Sequence, residues 1–324
     1  MSLSMQAMVC TAYGAPEVLK RQTVPVPIPE INQVVIKVHV AAINPGDIYT
    51  RNGEMRIFFG LLKPRTAIFG YEFCGEIVAL GEQVNDLKIG DRVCALIDKK
   101  QNGAYAQYAF APASHVVKLS DTTDDLNAAA LILGGITAIQ ALRDCAQAQA
   151  GMRVLITGAA GSVGYMAAQI ARLQGLEVVC IANERGLHSV KALGFADVYD
   201  YKKITADSFT EPFDIILDSS SMLTFTEWQK RLKPNGVFVT TGPRLRNLWP
   251  ILRDFKKTAG QRAKFVMGHA DKTDMTQLVR WFENKQLQVL IDKVFSVTDV
   301  VSAHHYFEKN AKHGKILLKV LDSF

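Results

Sequence analysis

The chain has no cluster of cysteines. Its five cysteines, Cys10, Cys74, Cys94, Cys145 and Cys180, stand far apart and mostly within apolar runs. That excludes a disulfide-stapled secreted scaffold and points to buried thiols in a reducing compartment. No apolar run approaches the roughly 18 residues that cross a bilayer, and the first residues show no basic segment followed by an apolar core. A cytoplasmic protein without a membrane span is therefore expected. Internal repeats and low-complexity tracts are also missing. Excess charge is modest, at +6, and part of it gathers in Arg244, Arg246, Arg253, Lys256, Lys257, Arg262 and Lys264. Such a stretch reads first as a solvated face, with contact to nucleic acid or an anionic membrane as the alternative. No nucleic-acid partner is expected.

What is present is ordinary globular material, 48% hydrophobic and 21% charged, so a sizeable core is available. The 324 residues suffice for two domains, since a domain takes roughly 100–200 residues.

Residues 153–183 carry the most information. Val154 to Thr157 form an apolar run without polar alternation, which suits a parallel strand covered on both faces. Gly158, Gly161 and Gly164 follow, spaced for a tight bend, a bare-backbone approach to a pyrophosphate and close packing of helix on strand. A helix beginning near Ser162 would offer its unpaired N–H groups and partial positive charge to the phosphates. Val178 to Ile181 form a second strand. Gly158, Ala160, Gly161, Ser162, Val163 and Gly164 are the candidate pyrophosphate residues; a tight turn without ligand is the alternative.

The residues before this unit read as β: Gln6 to Tyr13, Val34 to Val40, Glu76 to Leu80, Arg92 to Ile97 and Tyr105 to Ala111 are separated by Gly, Pro and Asn turns. From Asp124 the texture turns helical, with Leu126 to Leu133 and Thr137 to Ala146 expected as two helices broken by Gly134-Gly135. After the glycine turn strands and helices alternate: strands near 197–200, 214–218 and 237–241, a helix over 224–232 stopped by Lys233-Pro234-Asn235-Gly236, and a tail of helix, strand, helix and strand from Met275 onward.

Several further motifs stand in a characteristic order: Gly14-Ala15-Pro16-Glu17-Val18-Leu19, Ile43-Asn44-Pro45-Gly46-Asp47, Gly70-Tyr71-Glu72-Phe73-Cys74-Gly75, the run 84–93, Gly103-Ala104-Tyr105-Ala106-Gln107-Tyr108, Gly135-Ile136-Thr137-Ala138 and Gly314-Lys315 with the apolar run after it. With these motifs the chain resembles the medium-chain dehydrogenase/reductase superfamily over nearly its full length, and its zinc-independent quinone oxidoreductase branch in particular. The resemblance implies an α/β fold: a Rossmann-type doubly wound parallel sheet, residues 126–270, inserted into a partly open β-barrel, GroES-like substrate domain of residues 1–125 and 271–324. The active site would lie in the cleft between them.

Zinc-dependent relatives carry a His where this chain has Tyr71, and the position expected for an early ligand cysteine falls in Asn44-Pro45-Gly46-Asp47. The protein is therefore expected to hold no metal. Without a Lewis acid to polarise an oxygen, reduction of a conjugated carbonyl is the chemistry that fits, because hydrogen-bond donors can stabilise an enolate or quinone oxygen. The candidate donors are Asn44 and Tyr49. For Asn44 a turn role stands equally open, and Tyr49 and Tyr71 could equally be aromatic wall.

The second strand ends in Asn183, followed by Glu184 and Arg185. A strand-end carboxylate would accept from the ribose of NAD; Asn183 and Arg185 instead suit the 2′-phosphate of NADPH, with Glu184 as ribose acceptor, and NADH as cofactor, the alternative. The resemblance adds Tyr201 near the adenosine phosphate, and Thr137, Ser219, Gly242 and Lys315 near the nicotinamide half or the phosphates. Each has a plain structural alternative: surface tyrosine, helix residue, strand-end cap, turn glycine and solvated lysine. The substrate expected is a small hydrophobic quinone, enone or other activated alkene, held by the loop from Tyr49 to Pro64, with Met55, Phe58 and Phe59, and by residues 245–249. A zinc-free alcohol or aldehyde oxidoreductase is the second enzymatic possibility, and a non-catalytic NADPH-binding protein with an RNA or membrane-surface partner the third. A homodimer is expected through the edge of the nucleotide domain's sheet, at 237–241 or 264–267.

Overall fold

A computed structural model describes residues 3–98, 103–242 and 260–324. Arg244 to Lys257 of the basic stretch, and residues 245–249 of the expected pocket, lie outside the described residues. Six strands form one sheet in the order Val198–Asp200, Glu177–Ala182, Arg153–Thr157, Phe213–Asp218, Leu232–Thr240 and Arg262–Phe265, every pair parallel. The sequence direction reverses between Arg153–Thr157 and Phe213–Asp218. At such a switch point the carboxyl ends of the strands open a crevice for ligand. The middles of the central strands, Val154 to Ile156 and Ile215 to Leu217, are apolar and buried, as in a parallel sheet covered on both faces.

A seven-stranded sheet holds most of the remaining strands. Gln33–Ile43 runs through its middle, paired with Glu72–Leu80, Tyr108–Pro112 and Lys315–Lys319. Ile291–Ser296 lies parallel to Lys315–Lys319, so the end of the chain returns to the sheet its beginning built. Ser4–Cys10 and Leu19–Pro25 form a separate hairpin.

The two helices expected around Gly134-Gly135 are one. Helix Asp125–Gln140 runs through both glycines and continues as a π-helical turn, Ala141–Cys145. The glycines serve packing: a Cβ on Gly134 would stand 2.5 Å from Ser162 Oγ, and one on Gly135 would stand 2.5 Å from Leu278 Cδ2. Close approach of neighbouring helices outweighs the propensity cost of about 1 kcal/mol per glycine. The same 21-residue segment is long and apolar enough by composition to cross a membrane, against the expectation of no such run, yet 78% of its apolar window is buried inside the protein. It is a core helix packed against the seven-stranded sheet on one side and the helix of residues 162–173 on another.

Two further expectations change. The helix over 224–232 shrinks to Phe225–Trp228 with a 3-10 turn, and the supposed stop at Lys233-Pro234-Asn235-Gly236 is the irregular start of strand Leu232–Thr240, with Asn235 at φ 63°. Residues 237–240 are also no edge, being hydrogen-bonded on both sides. Among the described residues the outer strand at this end of the sheet is Arg262–Phe265.

Candidate active site in the interdomain cleft

The glycine turn caps the strand Arg153–Thr157. Gly158 takes φ +63°, a left-handed conformation that costs a residue with a Cβ, and its carbonyl accepts from Gly161 N at 2.8 Å. A Cβ on Gly164 would meet that carbonyl oxygen at 2.3 Å, so only glycine lets the helix Ser162–Leu173 sit this close. Gly161 is its N-cap and supplies no side-chain cap. The first N–H groups thus point toward the cleft at the positive end of the helix dipole, where an anion is the complementary ligand. Gly158, Gly161, Ser162 and Val163 are partly exposed, and Ala160 is buried. The cradle fits a dinucleotide pyrophosphate.

The rim follows from the parallel register. Asn183 comes directly after strand Glu177–Ala182 and caps helix Glu184–Ala192, its Oδ1 accepting from Gly186 N at 2.8 Å. Arg185 stands on the first turn of that helix, its guanidinium paired with Asp292. Tyr201 follows strand Val198–Asp200 with an exposed ring. Ser219 lies across from the turn, donating to Thr157 O at 2.5 Å, and Gly242 packs close to Ser221, where a Cβ would stand 2.8 Å from Oγ. Thr137 is buried in the core helix and donates back to Leu133 O at 2.7 Å, with Gly268 against its hydroxyl.

The opposite wall comes from the seven-stranded sheet. Asn44 ends strand Gln33–Ile43 and caps helix Pro45–Arg51 in a capping box with Asp47. Its amide nitrogen donates to Glu72 Oε2 at 3.1 Å, and its oxygen accepts from Lys315 Nζ at 2.7 Å. Lys315 is no solvated lysine: it is 3% exposed and paired with Glu72 at 2.5 Å. Tyr49 is exposed on helix Pro45–Arg51, while Tyr71 is buried beside Gly46 and Asp47, and burial drives its phenol well above the ordinary range. A small pocket lies here, lined by Asp47, Thr50, Thr66, Gly70 and Tyr71 among others. Of the expected pocket residues, Phe58 is exposed and Phe59 buried.

Asp218 and Glu72 were not singled out from sequence. Asp218 is fully buried at the switch point and accepts from Thr157 Oγ1, Ser220 Oγ and Leu223 N; burial raises its carboxyl above the usual value. Its signal was its place at the end of an apolar strand. Among the described residues, no three or more His, Cys, Asp or Glu side chains are grouped to hold a metal ion. Cys74 is buried against the carbonyl of Asp125 and held as the thiol. Asn44 and Tyr71, the described residues at the positions where zinc-dependent relatives carry ligands, do not supply the donors a zinc ion takes.

A Rossmann-ordered sheet, an uncapped glycine-turn helix and a GroES-like wall across the cleft define a nicotinamide oxidoreductase. Residues 30–121 match the alcohol dehydrogenase GroES-like domain, and residues 193–318 match the zinc-binding dehydrogenase family. The quinone oxidoreductase of Mus musculus is 34% identical over 332 residues, covering 97% of both chains, and that of Sus scrofa 35% identical over 248 residues, 74% of both. The structure of the quinone oxidoreductase from Coxiella burnetii superposes with a TM-score of 0.87 at 29% identity, covering 98% of this chain and 100% of that one. The chain belongs to the medium-chain dehydrogenase/reductase superfamily, in its quinone-oxidoreductase-like branch. It is an oxidoreductase enzyme of the quinone-reductase type, and the family implies a nicotinamide cofactor.

Proposed function

We propose that the protein is a zinc-independent, NADPH-dependent reductase of quinones, enones or other activated alkenes. The observation that carries the cofactor choice is the end of the second strand: Asn183 follows its last residue directly, and Glu184 already begins the next helix. A donor amide there, with Arg185 two residues on, favours a 2′-phosphate over a bare ribose. When bound, NADPH supplies a hydride.

The chain's own residues align and stabilise. The N–H groups of Ser162, Val163 and Gly164 hold the pyrophosphate, and Thr137, Ser219, Gly242 and Lys315 line the path toward the nicotinamide. Tyr49 and the second amide hydrogen of Asn44 donate to the oxygen on which charge develops, and water supplies the proton. The exposed apolar loop with Phe58 suits a small hydrophobic substrate. The five free cysteines support a cytoplasmic setting, and the position of Arg262–Phe265 as an outer strand among the described residues supports a homodimer joined sheet to sheet.

The test follows NADPH oxidation against a panel of quinones and α,β-unsaturated carbonyls, with NADH in parallel. Turnover with at least one class, faster with NADPH, is expected. No turnover with any, or a preference for NADH, would overturn the proposal.

A further inference from the structure

Lys315 is placed where a lone cation is unfavourable. Its Nζ lies 3.5 Å from Ser162 Oγ, at the positive end of the glycine-turn helix, and it is almost wholly removed from water. An ammonium beside a helix N-terminus calls for an anion. The chain supplies one in Glu72, which is 0% exposed and whose carboxylate has every partner within reach: Lys315 Nζ at 2.5 Å and Asn44 Nδ2 at 3.1 Å on one oxygen, and the backbone N–H of Leu133 at 2.7 Å on the other.

Four pieces of chain meet at this carboxylate. Asn44 and Lys315 end and begin strands of the GroES-like sheet, Glu72 opens a third, and Leu133 belongs to the core helix whose next residue, Gly134, packs on Ser162. Gly314 N also donates to Ala160 O at 2.6 Å, which ties the segment before Lys315 to the glycine turn. Moving Glu72 would therefore move two candidate cofactor and substrate residues at once.

We propose that Glu72 is a positioning residue for the dinucleotide. It does not touch the cofactor; it holds the Lys315 ammonium and the Asn44 amide against the helix terminus, so that the site meets an incoming pyrophosphate with its second cationic element already in place. The proposal rests on the assignment of the glycine turn as the pyrophosphate site.

The test is a mutant cycle on the full chain, E72Q, K315M and the double variant, with E72D as a fourth protein. Dissociation constants for NADPH and NADH are measured by titration calorimetry, thermal stability without ligand by scanning calorimetry, and KM and kcat with the best quinone. E72Q is expected to weaken dinucleotide binding about tenfold, as losing a charge-assisted contact does, and to raise the dinucleotide KM far more than it lowers kcat. In the K315M background the same change should cost little further affinity, because Glu72 acts through Lys315, and should restore thermal stability by removing the lone buried carboxylate. If E72Q does not fold, E72D carries the test: it keeps the charge but draws it back from Lys315, so weaker binding at a near-normal melting temperature is expected. Unchanged affinity in E72Q or, failing that, E72D, or an equal loss with and without Lys315, would overturn the proposal. Wild-type protein that binds neither dinucleotide would instead overturn the proposed function.

Discussion

Arg185 is paired with Asp292, a carboxylate 3% exposed on strand Ile291–Ser296. The same Asp292 oxygen lies 3.4 Å from Tyr306 Oη and 3.7 Å from His313 Nδ1. The residue suited to a 2′-phosphate is thus held by an anion from the other sheet, and a phosphate must compete for it. Arg185→Ala should lower the NADPH preference roughly 10- to 100-fold, the worth of a hydrogen bond to a charged group. Asp292→Asn should raise it, by releasing the guanidinium. The ratio of kcat/KM for NADPH and NADH checks both, and an unchanged ratio in Arg185→Ala would remove Arg185 from the phosphate site.

The glycines of the cleft set a second expectation. Gly134→Ala forces a Cβ into Ser162, and Gly164→Ala into the carbonyl of Gly158. Each should cost on the order of 1–3 kcal/mol of stability through overpacking. Because both displace the start of the same helix, dinucleotide affinity should fall along with the melting temperature. A variant that loses stability but binds normally would show that the helix terminus tolerates displacement.

His304 gives a pH dependence. It is buried, with Nδ1 lacking a hydrogen-bond partner among the described residues and Nε2 3.4 Å from Tyr105 Oη, and burial together with nearby Arg51 depresses its pKa from 6.5 to about 3. In the unfolded chain the imidazole takes a proton below about pH 6.5, while the folded protein does so only near pH 3. The unfolded state therefore binds more protons in that window, and stability falls as pH drops through it, by up to about 1.4 kcal/mol per pH unit. Thermal denaturation between pH 7 and 4 should be less pH-dependent in His304→Phe than in wild type. Parallel curves would place the acid sensitivity elsewhere.

Thiol reactivity offers a fourth. Cys10, Cys74, Cys94 and Cys180 are buried, and burial raises Cys94 and Cys180 to about 12 and Cys10 to about 11. Cys145 is only partly buried, its thiol raised by the same cause. Since the thiolate is the reactive form, alkylation of native protein near neutral pH should be slow and begin at Cys145. Peptide mapping by mass spectrometry reads the order; early labelling of Cys74 or Cys94 would contradict the packing described.

The glycine turn was legible because its chemistry is local. Gly158, Gly161 and Gly164 need nothing beyond a strand before them and a helix after, and both were written in the neighbouring residues. The strands on either side were legible for the same reason. Gly134-Gly135 misled because a glycine pair weakens a helix in isolation, while here it serves contacts with Ser162 and Leu278, residues distant in sequence. Between the two edges the sequence offered, 237–241 and 264–267, it could not choose, because strand order is no property of one strand; among the described residues the second overlaps the outer strand and the first lies inside the sheet.

By itself the sequence determined the position of the glycine turn and the amide, Asn183, that directly follows the second strand, both set by spacings within one short stretch. Only the tertiary structure decided that Lys315 is buried rather than solvated, that Glu72 holds it with Asn44, and that Asp292 restrains Arg185. Those relationships join residues from opposite ends of the chain. Burial and pairing of a charge depend on what the fold brings beside it.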